Sequence, residues 1–372
     1  MYWIALHPSR IEDATAWAWR ALQFTPRVAF VDEAVLLEAQ ASERLFGGRR
    51  SLLRSLLRGE AALECDGWAS APTSLQALAL LRLKRRGQAL PRELPDELPL
   101  DVFTAAREHL PTLERIGCTT LGQLRSLPRA GLSRRFGAGL LQALDAALGQ
   151  RPERYTWVVL PPAFDEKLEL QSLATSADDL LFTAQHLLTR LQMWLQARNL
   201  GALALGLEWT LDLRKLDGKP LPPTGQIELR TAQPTQDMKH LRRLASEQLA
   251  RSALSAPASQ LRLRTLETVP WGGVTTSLLP EDNRPGEKLH QLVERLSVRL
   301  GEGKVTCAQA LADHRPECMQ RWVPARTAGA TAALKEAVGD AIFPPWLLRE
   351  PLRLQVKADK PWYQGPLQLL TK

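Results

Sequence analysis

The apolar positions of this chain change period several times, and each change marks a different kind of element. Tyr2 to Leu6 is a short apolar run with the length of a buried strand. Ile11 to Phe24 has helical composition, and Val28 to Gln40, rich in Val and Leu, predicts a strand pair or one long strand ended by Leu45-Phe46-Gly47-Gly48. A short helix over Ser51 to Leu57, a strand around Ala62 to Trp68 and a helix over Ser74 to Lys84 complete an α/β segment. Pro91, Pro95 and Pro99 predict a linker over Gln88 to Pro99, and helical patterning then continues to Gly149.

From Lys167 the period becomes two. Leu168 and Leu170 alternate with Lys167, Glu169 and Gln171. A helix follows with Asp178 and Asp179 in its first turn and Leu180, Ala184, Leu187, Leu188, Leu191, Trp194 and Leu195 on one face, with Gly201 as its expected stop. Leu203, Leu205, Leu207, Trp209, Leu211 and Leu213 alternate as a strand. A turn at Gly218, a strand with Ile227 and Leu229, a helix from Gln236 to Leu254 and a strand with Leu261 and Leu263 come next. That order is β-α-β-β-α-β, with both helices expected on one sheet face. After Pro270 the chain is punctuated by Gly and Pro, apart from an amphipathic helix over Glu287 to Leu300.

Composition narrows the class. With 372 residues, 45% of them hydrophobic and 24% charged, the chain has material for several cores, and two to four domains are expected. The formal net charge of +8 favours anionic partners, nucleic acid first. Cys65, Cys118, Cys307 and Cys318 form no C-x-x-C pair, which fits a reducing, cytoplasmic setting. Cys307, His314 and Cys318 make only three ligands, one short of a structural zinc site, so no metal is expected. No secretory signal and no apolar run of membrane-spanning length is visible, so no membrane partner is expected.

The segment with the clearest chemistry is Leu113-Glu114-Arg115-Ile116-Gly117-Cys118-Thr119-Thr120-Leu121-Gly122-Gln123-Leu124, continuing to Arg134-Arg135-Phe136-Gly137. A helix, a glycine turn and a threonine capping a second helix form the pattern of a helix-hairpin-helix. The turn at Gly117 and the helix start at Thr120 are expected to offer backbone N–H groups to a DNA phosphate, with Arg125, Arg129, Arg134 and Arg135 around them.

This stretch resembles the thumb of the Y-family translesion DNA polymerases, and the β-α-β-β-α-β unit resembles their little finger in the same order. Val35-Leu36-Leu37-Glu38 with Leu45-Phe46-Gly47-Gly48, and Ala71-Pro72-Thr73-Ser74, resemble parts of their palm. Within that family the chain is most similar to the inactive branch called ImuB, through Ser126-Leu127-Pro128-Arg129-Ala130-Gly131-Leu132 and Asp313-His314-Arg315-Pro316-Glu317. The implied fold is multidomain α/β and α+β: a remnant palm (1–90), a thumb with the helix-hairpin-helix (91–157), a little finger (158–270) and an irregular C-terminal tail (271–372).

The departures from the family bear on catalysis. Two-metal phosphoryl transfer needs clustered carboxylates, and active members place one on the first palm strand, where this chain has Tyr2-Trp3-Ile4-Ala5-Leu6-His7. Asp32 and Glu33 stand one residue out of register with the hairpin pair, and Glu38 matches a structural acid, so all three are vestigial candidates only. Between His7 and Phe24 there is room for one helix, so the fingers region is shortened. No cofactor is expected. Relatives continue beyond the strand-like Leu352-Arg353-Leu354-Gln355-Val356, so loss of partner docking is a further expectation.

The resemblance implies a non-catalytic DNA-binding accessory of error-prone synthesis in the SOS response to DNA damage. Its partners would be damaged or primed DNA, a sliding clamp, an error-prone replicative-type polymerase and a RecA-like accessory protein. On the little finger, Arg230, Arg262 and Arg264, with Arg214 and Lys215 in a loop, are the expected phosphate contacts on a face that also carries Glu169, Glu208 and Glu228. Thr275, Thr276, Ser277, Leu278 and Leu279 occupy the place of a clamp-binding peptide, with Thr275 where glutamine is usual. The rival readings are an active translesion polymerase using Asp32, Glu33 and Glu38, and a decayed gene product.

Overall fold

The computed structural model describes residues 1–58, 63–213, 215–216, 219–252, 254–273, 289–311, 319–325 and 352–367. Contacts divide the chain into two compact units, Met1–Arg295 and Leu296–Lys372.

The first unit opens with a four-stranded antiparallel sheet. Its strands are β1 (Trp3–Pro8), β2 (Val28–Val31), β3 (Ala34–Glu38) and β4 (Cys65–Ala71), in the order β2-β3-β1-β4. The Val28–Gln40 run is therefore a strand pair, turning at Asp32, whose φ of 51° is one that Asp tolerates better than most residues. Between β1 and β2 the chain holds a 3-10 turn and one helix, α1 (Ala14–Leu22). Both sheet faces are covered. Tyr2, Ile4, Leu6, Val35 and Leu37 pack with Trp17 of α1 and with Leu52 and Leu56 of α2 (Arg49–Leu57). Trp3, Ala5, Leu36, Ala69 and Ala71 pack with α3 (Ser74–Arg85), whose first turn is capped by the Thr73 side chain accepting from the Gln76 N–H.

The helical segment adds α4 (Leu110–Arg115), α5 (Leu121–Ser126) and α6 (Arg129–Ala147), which bends at Gly137. Its apolar side chains, among them Leu113, Leu121, Leu132 and Leu140, join the same core as α3, so α3 lies between the sheet and these helices. The stretch expected as a linker is partly structural, since Leu98 is fully buried.

The second sheet has the predicted element order. It comprises β5 (Asp165–Ala174), α7 (Ala177–Arg198), β6 (Leu200–Leu211), a small ribbon β7–β8 (Lys215–Leu216 and Lys219–Pro220), β9 (Thr224–Thr235), α8 (Met238–Arg251) and β10 (Ala258–Pro270). The sheet runs β5-β10-β6-β9, antiparallel throughout, so each β-α-β crossover is split by an intervening strand. The stop of α7 differs from the expected one: Asn199, at φ 53°, ends the helix. Gly201 lies instead where a Cβ would come within 2.7 Å of Pro234 and 2.9 Å of Trp271.

The two sheets are joined through an aromatic file. Trp19 of α1 meets Phe164 edge-on at 6.0 Å, and Phe164 meets Trp194 of α7 at 6.1 Å; all three are buried. Arg190 Nη2 donates to the Glu12 carbonyl at 2.7 Å across the same junction. The helix α9 (Leu289–Leu300) lies within the expected span, whose first two residues, 287 and 288, fall outside the described residues.

In the second unit the tail is less irregular than expected. Its described residues form two hairpins, β11 (Thr306–Ala310) with β12 (Gln320–Pro324), and β13 (Gln355–Lys357) with β14 (Lys360–Trp362). Among the described residues no helix is long and apolar enough to cross a membrane.

Candidate nucleic-acid interface

The carboxylates of the β2–β3 turn are held by one arginine. Arg82 projects from α3 with only 5% of its side chain exposed. Its Nε donates to Glu33 Oε1 at 2.7 Å, and its Nη2 donates to Glu33 Oε2 and to Asp32 Oδ2, both at 2.8 Å. Its Nη1 donates to the Val102 carbonyl at 2.5 Å and to Thr104 Oγ1 at 2.9 Å, and Thr104 Oγ1 donates in turn to Asp32 Oδ2. The guanidinium thus uses its planar fork on both acids at once. Its hydrogen bonds hold the Glu33 carboxyl well below the ordinary carboxylate range, at about 2, against the opposing effect of partial burial.

Glu38 has a different job. It is buried, its Oε1 accepts the Gln40 N–H at 3.0 Å, and its Oε2 lies 3.3 Å from Arg27 Nη1. On β1 the residue opposite Glu38 is Trp3, whose indole packs against Tyr155 at 5.8 Å and Trp157 at 6.4 Å. Metal chemistry requires anionic ligands free to face a cation, but here the two turn acids already face a cation and β1 supplies an aromatic ring. Among the described residues no group of three or more His, Cys, Asp or Glu is placed to hold a metal. Cys307 lies on β11, while His314 and Cys318 fall outside the described residues.

The hairpin at Gly117 turns as expected but is closed to an anion. Gly117 has φ 74°, and Thr120 caps α5 in a box with Gln123. The Leu121 N–H donates to the Leu98 carbonyl at 2.8 Å, the Gly122 N–H to the Asp96 carbonyl at 2.9 Å, and the Gln123 N–H to Thr120 Oγ1 at 3.4 Å. The chain's own residues 96–98 therefore sit where phosphate was expected. Gly122 is needed for that approach, since a Cβ there would be 2.9 Å from Asp96 Cβ. Two of the four arginines are also engaged: Arg125 with Asp96 at 2.6 Å, and Arg129 with Asp145 through two bonds of 2.8 Å.

A second turn, inside α6, is open. Gly137 has φ 83° and ψ 170°, breaking the helix so that a new helical start follows it. Gly137, Ala138 and Gly139 are exposed, and a Cβ on either glycine would meet nothing within 4 Å. The first amides after such a break have no intrahelical acceptor. Arg134 and Arg135 are exposed just before it, while Phe136 anchors the turn in the core against His109. The sequence signal is present in Gly137-Ala138-Gly139, but the more regular pattern around Gly117 masks it.

On the second sheet the alternation places Lys167, Glu169, Glu228 and Arg230 on the face opposite the helices. Its arginines are largely occupied. Arg262 forms a two-bond pair with Asp165, at 2.6 and 2.5 Å, and lies 3.7 Å from Glu208. Arg230 pairs with Glu228 at 2.5 Å and Glu267 at 3.5 Å. Arg264 is half-buried over Gly206. Arg214 and the side chain of Lys215 lie outside the described residues, as do Thr275, Thr276, Ser277, Leu278 and Leu279.

Over 309 residues the chain is 26% identical to Protein ImuB of Caulobacter vibrioides strain NA1000 / CB15N, and equally to that of strain ATCC 19089 / CIP 103742 / CB 15. The chain is ImuB-like in sequence. The match covers 80% of this chain and 64% of those relatives, so the ImuB-like chain spans less than two thirds of their length. No family model matches it. Solved structures similar to it include a Dbh ternary complex (14% identity, 70% of this chain and 79% of that one, TM-score 0.28) and a DinB-family error-prone DNA polymerase from Sulfolobus solfataricus (13%, 68% and 77%, TM-score 0.30).

Proposed function

We propose that this ImuB-like chain is a DNA-binding accessory factor of error-prone translesion synthesis that performs no phosphoryl transfer itself. The observation that carries the reading is Arg82: a buried internal cation occupies both carboxylates of the β2–β3 turn, and the neighbouring strand β1 carries no carboxylate. In this reading residues 1–90 are a remnant palm, 91–157 a thumb, 158–270 a little finger and 271–372 a tail. DNA is held by its backbone, chiefly through Arg134, Arg135 and the Gly137 turn, with weaker help from the second sheet. The side chains there that face phosphate are cations of a kind that reads charge rather than base identity.

The further parts of the proposal rest on sequence. Leu278 and Leu279 are two adjacent apolar side chains suited to a sliding-clamp pocket, and an error-prone replicative-type polymerase with a RecA-like protein would supply the chemistry and its control.

Primer extension tests the catalytic half. The chain is expected to incorporate no nucleotide on a primed template in magnesium or manganese. Template-dependent incorporation that disappears in the paired variant Asp32→Asn plus Glu33→Gln would establish the rival reading, an active polymerase. Amides are chosen because they keep partners for Arg82.

A further inference from the structure

Helix α2 carries a row of arginines that its packing does not use. Its inner side is apolar: Leu52 and Leu56 are buried against the first sheet, with Leu53 and Leu57 packed beside them. On the opposite side Arg50 and Arg54 are exposed, and exposed Arg58 follows at the C-cap. Four residues of helix rise about 6 Å, so the three cations run along the outer face. Arg49, at the edge of the row, is engaged by Glu43 at 2.6 Å and lies over the Tyr2 ring. Arg50, Arg54 and Arg58 form no ion pair among the described residues.

The row is unfavourable for the helix itself. Like charges four residues apart repel. The first turn of α2 holds no acid, and its N-cap, Gly48, supplies no capping side chain, so Arg50 also opposes the helix macrodipole. At the other end Arg20 Nη2 donates to the carbonyls of Ser55 at 2.6 Å and Arg58 at 3.1 Å, so a further cation covers the negative end of the helix. A solvated face ordinarily mixes its signs; this one keeps to a single sign.

We propose that the outer face of α2 is a second nucleic-acid site, which takes the phosphate backbone of a duplex segment other than the one held at the Gly137 turn. Two observations select that ligand. Beside the arginines stand only the small, half-buried Ser51 and Ser55, with no aromatic side chain. A protein partner needs an apolar or aromatic anchor at the centre of its interface, whereas a duplex backbone is bound through charge. The position separates the two segments: α2 covers one face of the first sheet, while α6 belongs to the core on the other face, beyond α3. The site extends the DNA-binding reading to separate residues, and it lets one chain hold two stretches of DNA together.

The test titrates the full chain with short duplexes at low salt and counts, by native mass spectrometry, how many each chain binds. Wild type should bind one duplex more than the triple variant Arg50→Ala, Arg54→Ala and Arg58→Ala. That extra binding should weaken with salt at a log–log slope of about three, roughly one per arginine. The three changes are exposed and relieve repulsion, so the circular dichroism spectrum should be unchanged and the urea midpoint no lower. The triple lysine variant keeps the charge and should keep the extra duplex. Equal numbers of duplexes on wild type and the alanine triple, or loss of the extra duplex from the lysine triple, would overturn the proposal and leave the row to an acidic protein. Arg134→Ala plus Arg135→Ala separates this site from the Gly137 turn, because that variant should also lose one duplex. If it loses none while the alanine triple loses one, the α2 site stands and the grip at Gly137 fails.

Discussion

Replacing Arg82 with alanine is expected to destabilise the first unit by about 3–5 kcal/mol, the usual effect of removing one partner from a buried ion pair. The side chain is 5% exposed and satisfies Asp32, Glu33, the Val102 carbonyl and Thr104 together. Its loss leaves two carboxylates facing each other and a carbonyl without its donor. The acids are themselves about one-third exposed, at 32% and 33%, so water recovers part of the loss and the lower end of the range is expected. Arg82→Lys keeps the charge but not the planar fork, and should fall between wild type and alanine. Combining Arg82→Met with Asp32→Asn and Glu33→Gln should recover much of the stability, because no charge is then left unpaired. Urea denaturation followed by fluorescence measures all four proteins.

The same network has a pH signature. The folded carboxyl of Glu33, at about 2, lies below its ordinary value of 4.5. A depressed acid contributes stability that is fully present above the ordinary value and is lost as pH falls through the folded one. Wild-type stability should therefore decline between those two values, and the Arg82→Ala protein should show a shallower decline there. An Arg82→Ala protein as stable as wild type, with the same acid limb, would show that the arginine is not what neutralises the turn.

Phe164→Ala should cost about 3–5 kcal/mol, the range for removing a fully buried aromatic ring. Phe164 is 0% exposed and stands between Trp19 of α1 and Trp194 of α7, so its loss opens the joint between the two sheets. Its backbone carbonyl still accepts the Thr265 N–H, so the β5–β10 sheet itself should persist. Hydrogen exchange should locate the change: amides of α1 and α7 lose protection together, while β6 and β10 keep theirs. If the ring only filled space within the second sheet, α1 would be unaffected. In functional terms this joint makes one body of the surfaces proposed to hold DNA, where a flexible tether would leave them independent.

Much of this architecture was legible because local periodicity and burial agree. In β6, Leu205, Leu207, Trp209 and Leu211 are buried as alternation demands. The pattern fails at the strand's start, where two residues of β6, Ala202 to Ala204, span one step of β10, Thr268 to Glu267, and those alanines are buried in place of Leu203. A bulge adds one residue and inverts the faces; nothing in the leucine spacing announces it. The site was less legible. Arg82 sits in Leu81-Arg82-Leu83-Lys84-Arg85-Arg86, which reads as the basic end of a surface helix. It is buried because α3 lies between two layers, and its acids lie 49 and 50 residues upstream. Likewise, Arg125 and Arg129 look available until Asp96 and Asp145 are found beside them. Charge counting along a sequence finds cations but not the long-range pairings that neutralise them.

The central claim, that the chain grips DNA by its backbone at the Gly137 turn, is tested most directly by titrating labelled duplex DNA of several sequences at a series of salt concentrations. The account predicts binding nearly independent of sequence that weakens steeply with salt. Arg134→Ala plus Arg135→Ala should weaken every duplex alike and reduce the log–log salt slope by about two, roughly one for each phosphate left without its arginine. Arg125→Ala plus Arg129→Ala, which removes arginines already paired with Asp96 and Asp145, should change the slope far less. Unchanged affinity and slope in the Arg134/Arg135 variant would contradict the account and leave the chain a protein-binding scaffold.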